Sequence, residues 1–262
     1  MSDSAAAPPG AVTDPSAVTT EEVRFAGANG DEVAAYLAAP ATGDGPFPAI
    51  IVIHEAFGLN DHIRDVARRF ANQGYVALAP DLYTREGAPP ADDFPVLLGK
   101  MFSVPDSRAV ADLEGAAKLL RDRDDTSGAV ASIGFCSGGR QSLLLASSSK
   151  ALDAAVYCWG GFVTAATFED ETTEFRPTKV IDLVENLDCP IYMAIGAEDD
   201  NPSPDQADAV AARAREAGKD VEHKTYAGAG HAFFADYRES YEPTAAAELW
   251  DDVRDFLGRH LN

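Results

Sequence analysis

The chain is poor in cysteine and has no long apolar segment. Its three cysteines, Cys136, Cys158 and Cys189, are too few for a disulfide framework in a chain of 262 residues. Their spacing matches no metal-ligand pattern, and no apolar run approaches the roughly 20 residues of a membrane-spanning helix. We therefore expect a protein of the reducing cytoplasm, with no bound metal and no membrane partner.

Basic residues are also scarce. The chain has 21 lysines and arginines against 43 aspartates and glutamates, which gives a formal net charge of −22. A surface this acidic repels nucleic acid and anionic lipid, so neither is expected as a partner. Acidity spread along the whole chain, with little lysine, is typical of proteins from salt-loving cells. That pattern concerns habitat and says nothing about a reaction.

The first 20 residues lack the features of a secretion signal. They contain neither a basic region nor an apolar region, and they are rich in alanine, proline, serine and threonine. We expect residues 1–20 to form a flexible leader. Because the remainder shows no internal repeat and no linker, we expect residues 21–262 to form a single domain.

The pattern of the remaining chain predicts an α/β fold. Residues 21–26 and 32–38 alternate apolar and polar side chains around Asn29-Gly30, which predicts an antiparallel hairpin. After the hairpin, short apolar runs alternate with helical patterns, which predicts a mostly parallel sheet with helices on both faces. Residues 80–105, with scattered proline and glycine, are expected to be a loop. Residues 160–188 form a long acidic segment that is expected to be a lid or to line a site.

The most informative stretch runs from Ala129 to Gly139. It combines an apolar strand pattern, the turn Gly134-Phe135-Cys136-Ser137-Gly138 and a run of helix formers. The form G-x-C-x-G matches a nucleophile elbow that has sulfur in place of the commoner hydroxyl. Such a turn holds the nucleophile in strained backbone geometry, and the flanking glycines let neighbouring backbone pass close by. The dipole of the following helix also favours a thiolate.

The simpler interpretation of Cys136 is a buried cysteine in a strand-to-helix turn, because free cysteine is among the most buried residue types. The five-residue pattern alone does not decide between a nucleophile and a buried structural cysteine. Cys158 and Cys189 lie within or at the start of predicted strands, so core packing is the better interpretation for both.

Polar residues follow four of the predicted strands. They are His54-Glu55, Cys136, Asp199-Asp200 and His231. Ligands of parallel sheets bind beyond the carboxyl ends of the strands, and the order nucleophile, acid, histidine is that of α/β-hydrolase triads. We favour His231 as the general base, with His54 as its competitor, and Asp199 as its acidic partner, with Asp200 and Glu198 as alternatives.

The chain resembles the dienelactone hydrolase family of the α/β-hydrolase fold. The resemblance is carried by IVIHEAFGLNDHIRDVARRFANQGYVALAPDLY, IGFCSGG, IGAEDD and AGAGHAFF, which together span most of residues 21–262. It implies a catalytic triad of Cys136, Asp199 and His231. It also implies that Glu55 controls the resting thiol and helps to generate the thiolate. The backbone N–H groups of Ala56 and Ser137 would form the oxyanion hole.

The chain departs from the type member of that family at the residues that hold the substrate carboxylate. One arginine of the type member follows the triad histidine by four residues, where this chain has Ala235. A second arginine of the type member lies in the region after the PDLY stretch, where this chain is shorter and differs in composition. Arg85 and Arg238 are nearby basic candidates, although neither matches the family pattern by motif.

These observations predict a hydrolase of a small ester or lactone that acts through a thioester acyl-enzyme without a cofactor. One alternative is a non-catalytic protein that binds a ligand or senses oxidants through Cys136. Another is an enzyme that transfers the acyl group to an acceptor other than water. The chain is expected to be a monomer or a small homo-oligomer.

Overall fold

An eight-stranded sheet runs through the structure, a computed structural model that describes residues 7–261. The strands are β1 Val18–Ala26, β2 Glu32–Pro40, β3 Phe47–Ile53, β4 Val76–Pro80, β5 Thr126–Phe135, β6 Ala154–Cys158, β7 Ile191–Gly196 and β8 Val221–Tyr226. Their order in the sheet is β1-β2-β4-β3-β5-β6-β7-β8. β1 pairs antiparallel with β2, and β2 pairs antiparallel with β4, whereas all other neighbours are parallel. The predicted hairpin and mostly parallel sheet are therefore confirmed.

Helices cover both faces of this sheet, as predicted. The helices are α1 Asp61–Ala71, α2 Phe94–Ser103, α3 Asp106–Arg121, α4 Ser137–Ser148, α5 Pro204–Glu216 and α6 Pro243–His260. Residues of α1 and α6 pack against one face, and residues of α3, α4 and α5 pack against the other.

The central strand β3 shows why the sheet must be covered on both sides. Ile50 and Val52 are fully buried in the core under α1 and α6, whereas Ile51 and Ile53 are fully buried in the core under α3 and α4. A strand that is apolar on both faces belongs in the middle of a parallel sheet. This arrangement places the carboxyl ends of β3, β5 and β7 along one edge of the sheet.

The prediction of a loop over residues 80–105 was wrong in its second half. α2 occupies Phe94–Ser103, where the Asp93 side chain accepts a hydrogen bond from the Val96 N–H at the helix start. Proline is tolerated in a first helical turn, so Pro95 does not oppose this start. Leu97 and Met101, one turn apart, are buried. The scattered proline and glycine of the region obscured this short helix.

The domain boundary predicted at residue 20 lies inside a strand. β1 begins at Val18, and a short 3-10 helix at Pro15–Ala17 precedes it, with the Asp14 side chain accepting a hydrogen bond from the Ser16 N–H. Gly10 lies against the ring of Trp250 in α6. Residues 1–6 of the predicted leader lie outside the described residues.

Within residues 7–261, no helix is long and apolar enough to cross a membrane.

Candidate active site

Cys136 lies at a sharp turn between β5 and α4. Its backbone has φ 54° and ψ −119°, a conformation that non-glycine residues rarely adopt and that is associated with strained functional sites. Its N–H donates a hydrogen bond to the Cys158 carbonyl oxygen at 3.1 Å, which fixes the turn to the neighbouring strand β6. The side chain is partly exposed and lines a cavity.

The two glycines around Cys136 are required by close backbone contacts. A methyl group on Gly134 would lie 1.9 Å from the Gly138 carbonyl oxygen, and one on Gly138 would lie 2.3 Å from the Ile53 carbonyl oxygen. Both distances are far below van der Waals contact, and the obstructing atoms belong to the backbone. The turn therefore packs directly against the end of β3, as its glycines predict.

Asp199 and His231 come together beyond the ends of β7 and β8. The Nδ1 atom of His231 lies 2.9 Å from Oδ2 of Asp199. The Asp199 side chain is 1% exposed, and its other oxygen accepts the Asn201 N–H at 3.0 Å. Asp200 and Glu198, the alternatives weighed from the sequence, are exposed.

Backbone hydrogen bonds hold the two loops together. The Ala197 N–H donates to the Tyr226 carbonyl at 2.9 Å, and the Glu198 N–H donates to the Ala229 carbonyl at 2.9 Å. A methyl group on Gly196 would lie 2.3 Å from that same Ala229 carbonyl oxygen. The loops after β7 and β8 therefore form one unit, which fixes the geometry of the acid and the imidazole.

His231 contacts both Asp199 and Cys136. Burial disfavours the imidazolium, but the negative charge on Cys136 and hydrogen bonds with Asp199 and Cys136 outweigh it and raise the pKa of His231 to about 10. The imidazole thus lies between a carboxylate and a sulfur, which is the arrangement of a nucleophile, a base and an orienting acid.

His54, the competing histidine, has both ring nitrogens occupied by backbone groups. Its Nδ1 lies 2.6 Å from the Glu55 carbonyl oxygen, and its Nε2 accepts the Leu82 N–H at 3.2 Å. Burial lowers the pKa of this imidazole. A neutral ring with these contacts supports the loop after β3 and is not available as a base at the cavity.

Glu55 is buried beside the cavity, with only 2% of its side chain exposed. The Tyr237 hydroxyl donates to its Oε2 at 3.3 Å, and Nη1 of Arg238 lies 3.5 Å from its Oε1. Burial raises the pKa of Glu55, an effect opposed in part by the positive charges of Arg238 and His231. No sequence pattern predicted the role of Tyr237, which supports Glu55 from a loop far along the chain.

A cavity of about 640 Å³ opens at the carboxyl ends of the central strands. All the residues predicted for catalysis line this cavity except Glu55, which is buried next to it. Ala56 and Ser137, the predicted oxyanion donors, both line it, and Ser137 is the first residue of α4, where backbone N–H groups lack intrahelical partners. The segment 160–188, expected to line a site, contributes Gly161, Phe162, Phe168 and Arg176.

The two arginines considered from the sequence differ in position. Arg238 lines the cavity, whereas Arg85 is held away from it by Asp112 and Asp31, at 2.8 and 2.9 Å. Asp112 is fully buried, so Arg85 compensates its charge and serves the fold.

Two further arginines in the cavity wall were missed from the sequence. Arg140 makes a two-point ion pair with Asp106, at 2.6 and 2.9 Å. Arg176 donates to the Ala166 and Met101 carbonyls, at 3.3 and 3.1 Å. Burial, together with the positive charge of Arg140, lowers the pKa of Arg176 to about 9. The contacts of Arg176 join the segment 160–188 to α2.

The other cysteines are core residues, as expected. Cys158 is fully buried, and its pKa is well above the ordinary value because of that burial. Burial also raises the pKa of Cys189 to about 12. Among the described residues, no group of three or more histidine, cysteine, aspartate or glutamate side chains could hold a metal ion.

Comparisons with known proteins identify the family of the chain. The model of the dienelactone hydrolase family matches residues 33–261. A protein of Escherichia coli strain K12 named "Putative carboxymethylenebutenolidase" is 37% identical over 233 residues, which cover 88% of this chain and 84% of that protein. A protein of the same name from Methylorubrum extorquens is 34% identical over 251 residues, which cover 95% of this chain and 84% of that protein.

A solved structure also matches. The crystal structure titled "Putative Dienelactone Hydrolase" from Klebsiella pneumoniae superposes with a TM-score of 0.85 at 34% identity, covering 93% of this chain and 99% of that one. The sheet order, the covered faces and this match confirm the α/β-hydrolase fold. The chain belongs to the dienelactone hydrolase family.

Proposed function

We propose that this protein hydrolyses a small ester or lactone through a thioester on Cys136, with His231 as the proton carrier and Asp199 as its orienting acid. The observation that carries the proposal is the position of His231, which lies 2.9 Å from Asp199 and lines the same cavity as Cys136. The names of the relatives, which describe butenolide hydrolysis, support a lactone as the substrate class.

In the first half-reaction, the Cys136 sulfur attacks the acyl carbon. The carbonyl oxygen then takes on negative charge, and we expect the N–H groups of Ala56 and Ser137 to stabilise it. When the tetrahedral species collapses, the bond from carbon to the alcohol oxygen breaks. His231 donates its proton to that oxygen. In a lactone the alcohol stays attached to the acyl group, so this step opens the ring.

In the second half-reaction His231 must act as a base, and thioester formation makes this possible by lowering its pKa. The negative charge on Cys136 is the foremost cause that raises the pKa of His231. A thioester carries no such charge, so the pKa of His231 falls once the acyl-enzyme has formed. The neutral imidazole then takes a proton from water, the hydroxide attacks the thioester carbon, and the carbon–sulfur bond breaks. The carboxylic acid leaves and the sulfur recovers its charge.

Asp199 acts through His231. Its carboxylate accepts a hydrogen bond from the Nδ1–H group, so Nε2 is the nitrogen left to face sulfur, alcohol or water. Glu55, buried beside the site, is proposed to limit the fraction of Cys136 that is thiolate in the free protein, because a carboxylate near a thiol disfavours the thiolate that the His231 cation favours. No organic cofactor takes part in these steps.

The experiment that tests the proposal measures turnover of an activated ester by the parent and by Cys136→Ala. We expect a loss on the order of a thousandfold or more. Cys189→Ala, which removes a cysteine from the core, is the matched control and should retain the chemistry. Turnover by Cys136→Ala would contradict the mechanism. Alkylation of Cys136 without any ester turnover by the parent would favour a ligand-binding or oxidant-sensing role, and acyl products formed only with an added acceptor would favour transfer.

A further inference from the structure

Large apolar side chains are exposed at the mouth of the catalytic cavity. Phe94 of α2 and Phe168 of the segment 160–188 both line it, and they are 65% and 62% exposed. Exposed apolar side chains gathered at one place, unlike single ones scattered over a surface, mark a site of interaction. Here the place is the entrance to the cavity that contains Cys136.

α2 presents one apolar face to the same cavity. Phe94, Leu97, Leu98 and Met101 line it, and their spacing of three and four residues puts them on a single face of the helix. Leu97 and Met101 are buried, whereas Phe94 is exposed, so this face runs from the interior of the cavity to its rim.

The segment 160–188 adds two aromatic rings in mutual contact, Phe162 and Phe168, to the wall of the cavity. Their ring centroids are 4.8 Å apart in an edge-to-face arrangement, and the ring of Phe102, near the end of α2, supports Phe162 from behind at 5.0 Å in the same arrangement. Such contacts fix ring orientation. The guanidinium of Arg176 lies 4.3 Å over the Phe102 ring, and its hydrogen bonds to the Met101 and Ala166 carbonyls join this wall to α2.

The catalytic groups occupy another part of the same cavity. Asp199, His231 and Ser137 lie around Cys136, and the exposed Glu198 and Asp200 are nearby on the loop after β7. A volume of about 640 Å³ is in the range that holds a drug-sized ligand, far more than an acetyl group needs. The catalytic groups therefore account for only part of the cavity.

We infer that the apolar face of α2 and the rings of Phe162 and Phe168 form a binding subsite for a large flat apolar group, such as an aryl ring. The ester or lactone that Cys136 cleaves would carry this group. This inference rests on the proposed function and deepens it by naming the substrate class. Burial of a ring between Phe94 and Phe168 would remove from water the side chains that the free protein exposes.

The test compares small and large esters in two pairs with similar leaving groups. Para-nitrophenyl acetate against para-nitrophenyl phenylpropanoate enlarges the acyl side, and phenyl acetate against beta-naphthyl acetate enlarges the alcohol side. The parent should favour the larger ester in at least one pair, with kcat/KM higher by about tenfold, and that pair identifies the side of the ester that enters the subsite.

Phe94→Ala and Phe168→Ala each remove an exposed ring, so neither variant should compromise folding. In each, the kcat/KM ratio of the larger ester to the smaller one should fall by roughly three- to tenfold. The matched controls are Val96→Ala and Phe175→Ala. Both residues are exposed apolar side chains of the same two segments, but neither lines the catalytic cavity, and their ratios should equal that of the parent.

Two results would overturn the subsite. One is a parent that shows no preference for the larger ester in either pair. The other is a ratio that is the same in Phe94→Ala, Phe168→Ala and both controls. Neither result contradicts the proposed hydrolysis if the parent cleaves the small esters and Cys136→Ala does not. Failure of the hydrolysis itself would instead appear as absence of Cys136-dependent turnover with every ester.

Discussion

The Nδ1 atom of His231 lies 2.9 Å from Oδ2 of Asp199, although the two residues are 32 positions apart in the chain. The neighbouring Asp200 lies on the same loop and is exposed. One carboxylate is therefore enclosed and directed at the imidazole, and the other faces solvent at the cavity rim.

This difference predicts unequal effects of two matched substitutions. Asp199→Asn replaces the acceptor that fixes the imidazole, and it should lower kcat on the order of a thousandfold. Asp200→Asn removes an exposed charge and should change kcat by less than about tenfold. Steady-state kinetics with one activated ester measure both variants. A larger loss in Asp200→Asn would move the role of orienting acid by one residue.

The protonation of His231 should depend on the sulfur of Cys136. The pKa of His231 is raised from 6.5 to about 10, with the charge of Cys136 as the foremost raising cause. An NMR titration should therefore find His231 protonated well above pH 6.5 in the parent and a lower pKa in Cys136→Ala. A pKa near 6.5 in both proteins would contradict the interaction.

The same shift has a consequence for stability. Because the folded protein holds the proton of His231 more tightly than the unfolded chain does, the contribution is fully present below about pH 6.5 and is lost as the pH rises through about 10. The free energy of unfolding of the parent, relative to His231→Gln, should fall over that range. A difference that does not change with pH would contradict the raised pKa.

Glu55 should restrain the thiol in the free protein. Replacing its carboxylate in Glu55→Gln removes a negative charge from the buried site, so iodoacetamide should alkylate Cys136 faster at neutral pH while ester turnover falls. Alkylation rates across pH, with a melting curve for each protein, test this. If Glu55 only supports its loop through Tyr237 and Arg238, stability and turnover will fall together and the alkylation profile will not change.

Gly138 should tolerate no side chain. In Gly138→Ala the new methyl group would meet the Ile53 carbonyl oxygen at 2.3 Å, so backbone must move, and we expect a loss of about 1–3 kcal/mol or more in the free energy of unfolding. Gly99→Ala in α2 is the control. Its methyl group meets nothing within 4 Å, and alanine favours a helix over glycine, so the protein should be equally stable or more stable. Equal effects of the two changes, measured by denaturant unfolding, would contradict the close packing of the turn.

The sequence predicted the parts of this structure that follow from local pattern. The apolar run of β3 predicts a strand buried on both faces, and the glycines around Cys136 predict a turn packed against neighbouring backbone. The alternation of strands and helices places Cys136, Asp199 and His231 at one edge of the sheet, because parallel strands end on the same side. These inferences need no knowledge of distant contacts.

The rest depends on contacts between distant segments. α2 is short, begins with a proline in its first turn and is completed by packing against the segment 160–188, so its own residues gave a weak signal. The position of Arg176 in the cavity wall is determined by the carbonyls of Met101 and Ala166, and Arg85 is held away from the cavity by the buried carboxylate of Asp112. No pattern within a single segment reveals partners of this kind.

The most direct test of the central claim is to trap the acyl-enzyme. The parent would be mixed with an activated ester, quenched in acid within a turnover and analysed by mass spectrometry of the intact protein and of its peptides. The account predicts a mass increase equal to one acyl group, located on the peptide that contains Cys136, labile to hydroxylamine and absent from Cys136→Ala. An acyl group on any other residue, or turnover by Cys136→Ala at the rate of the parent, would contradict it.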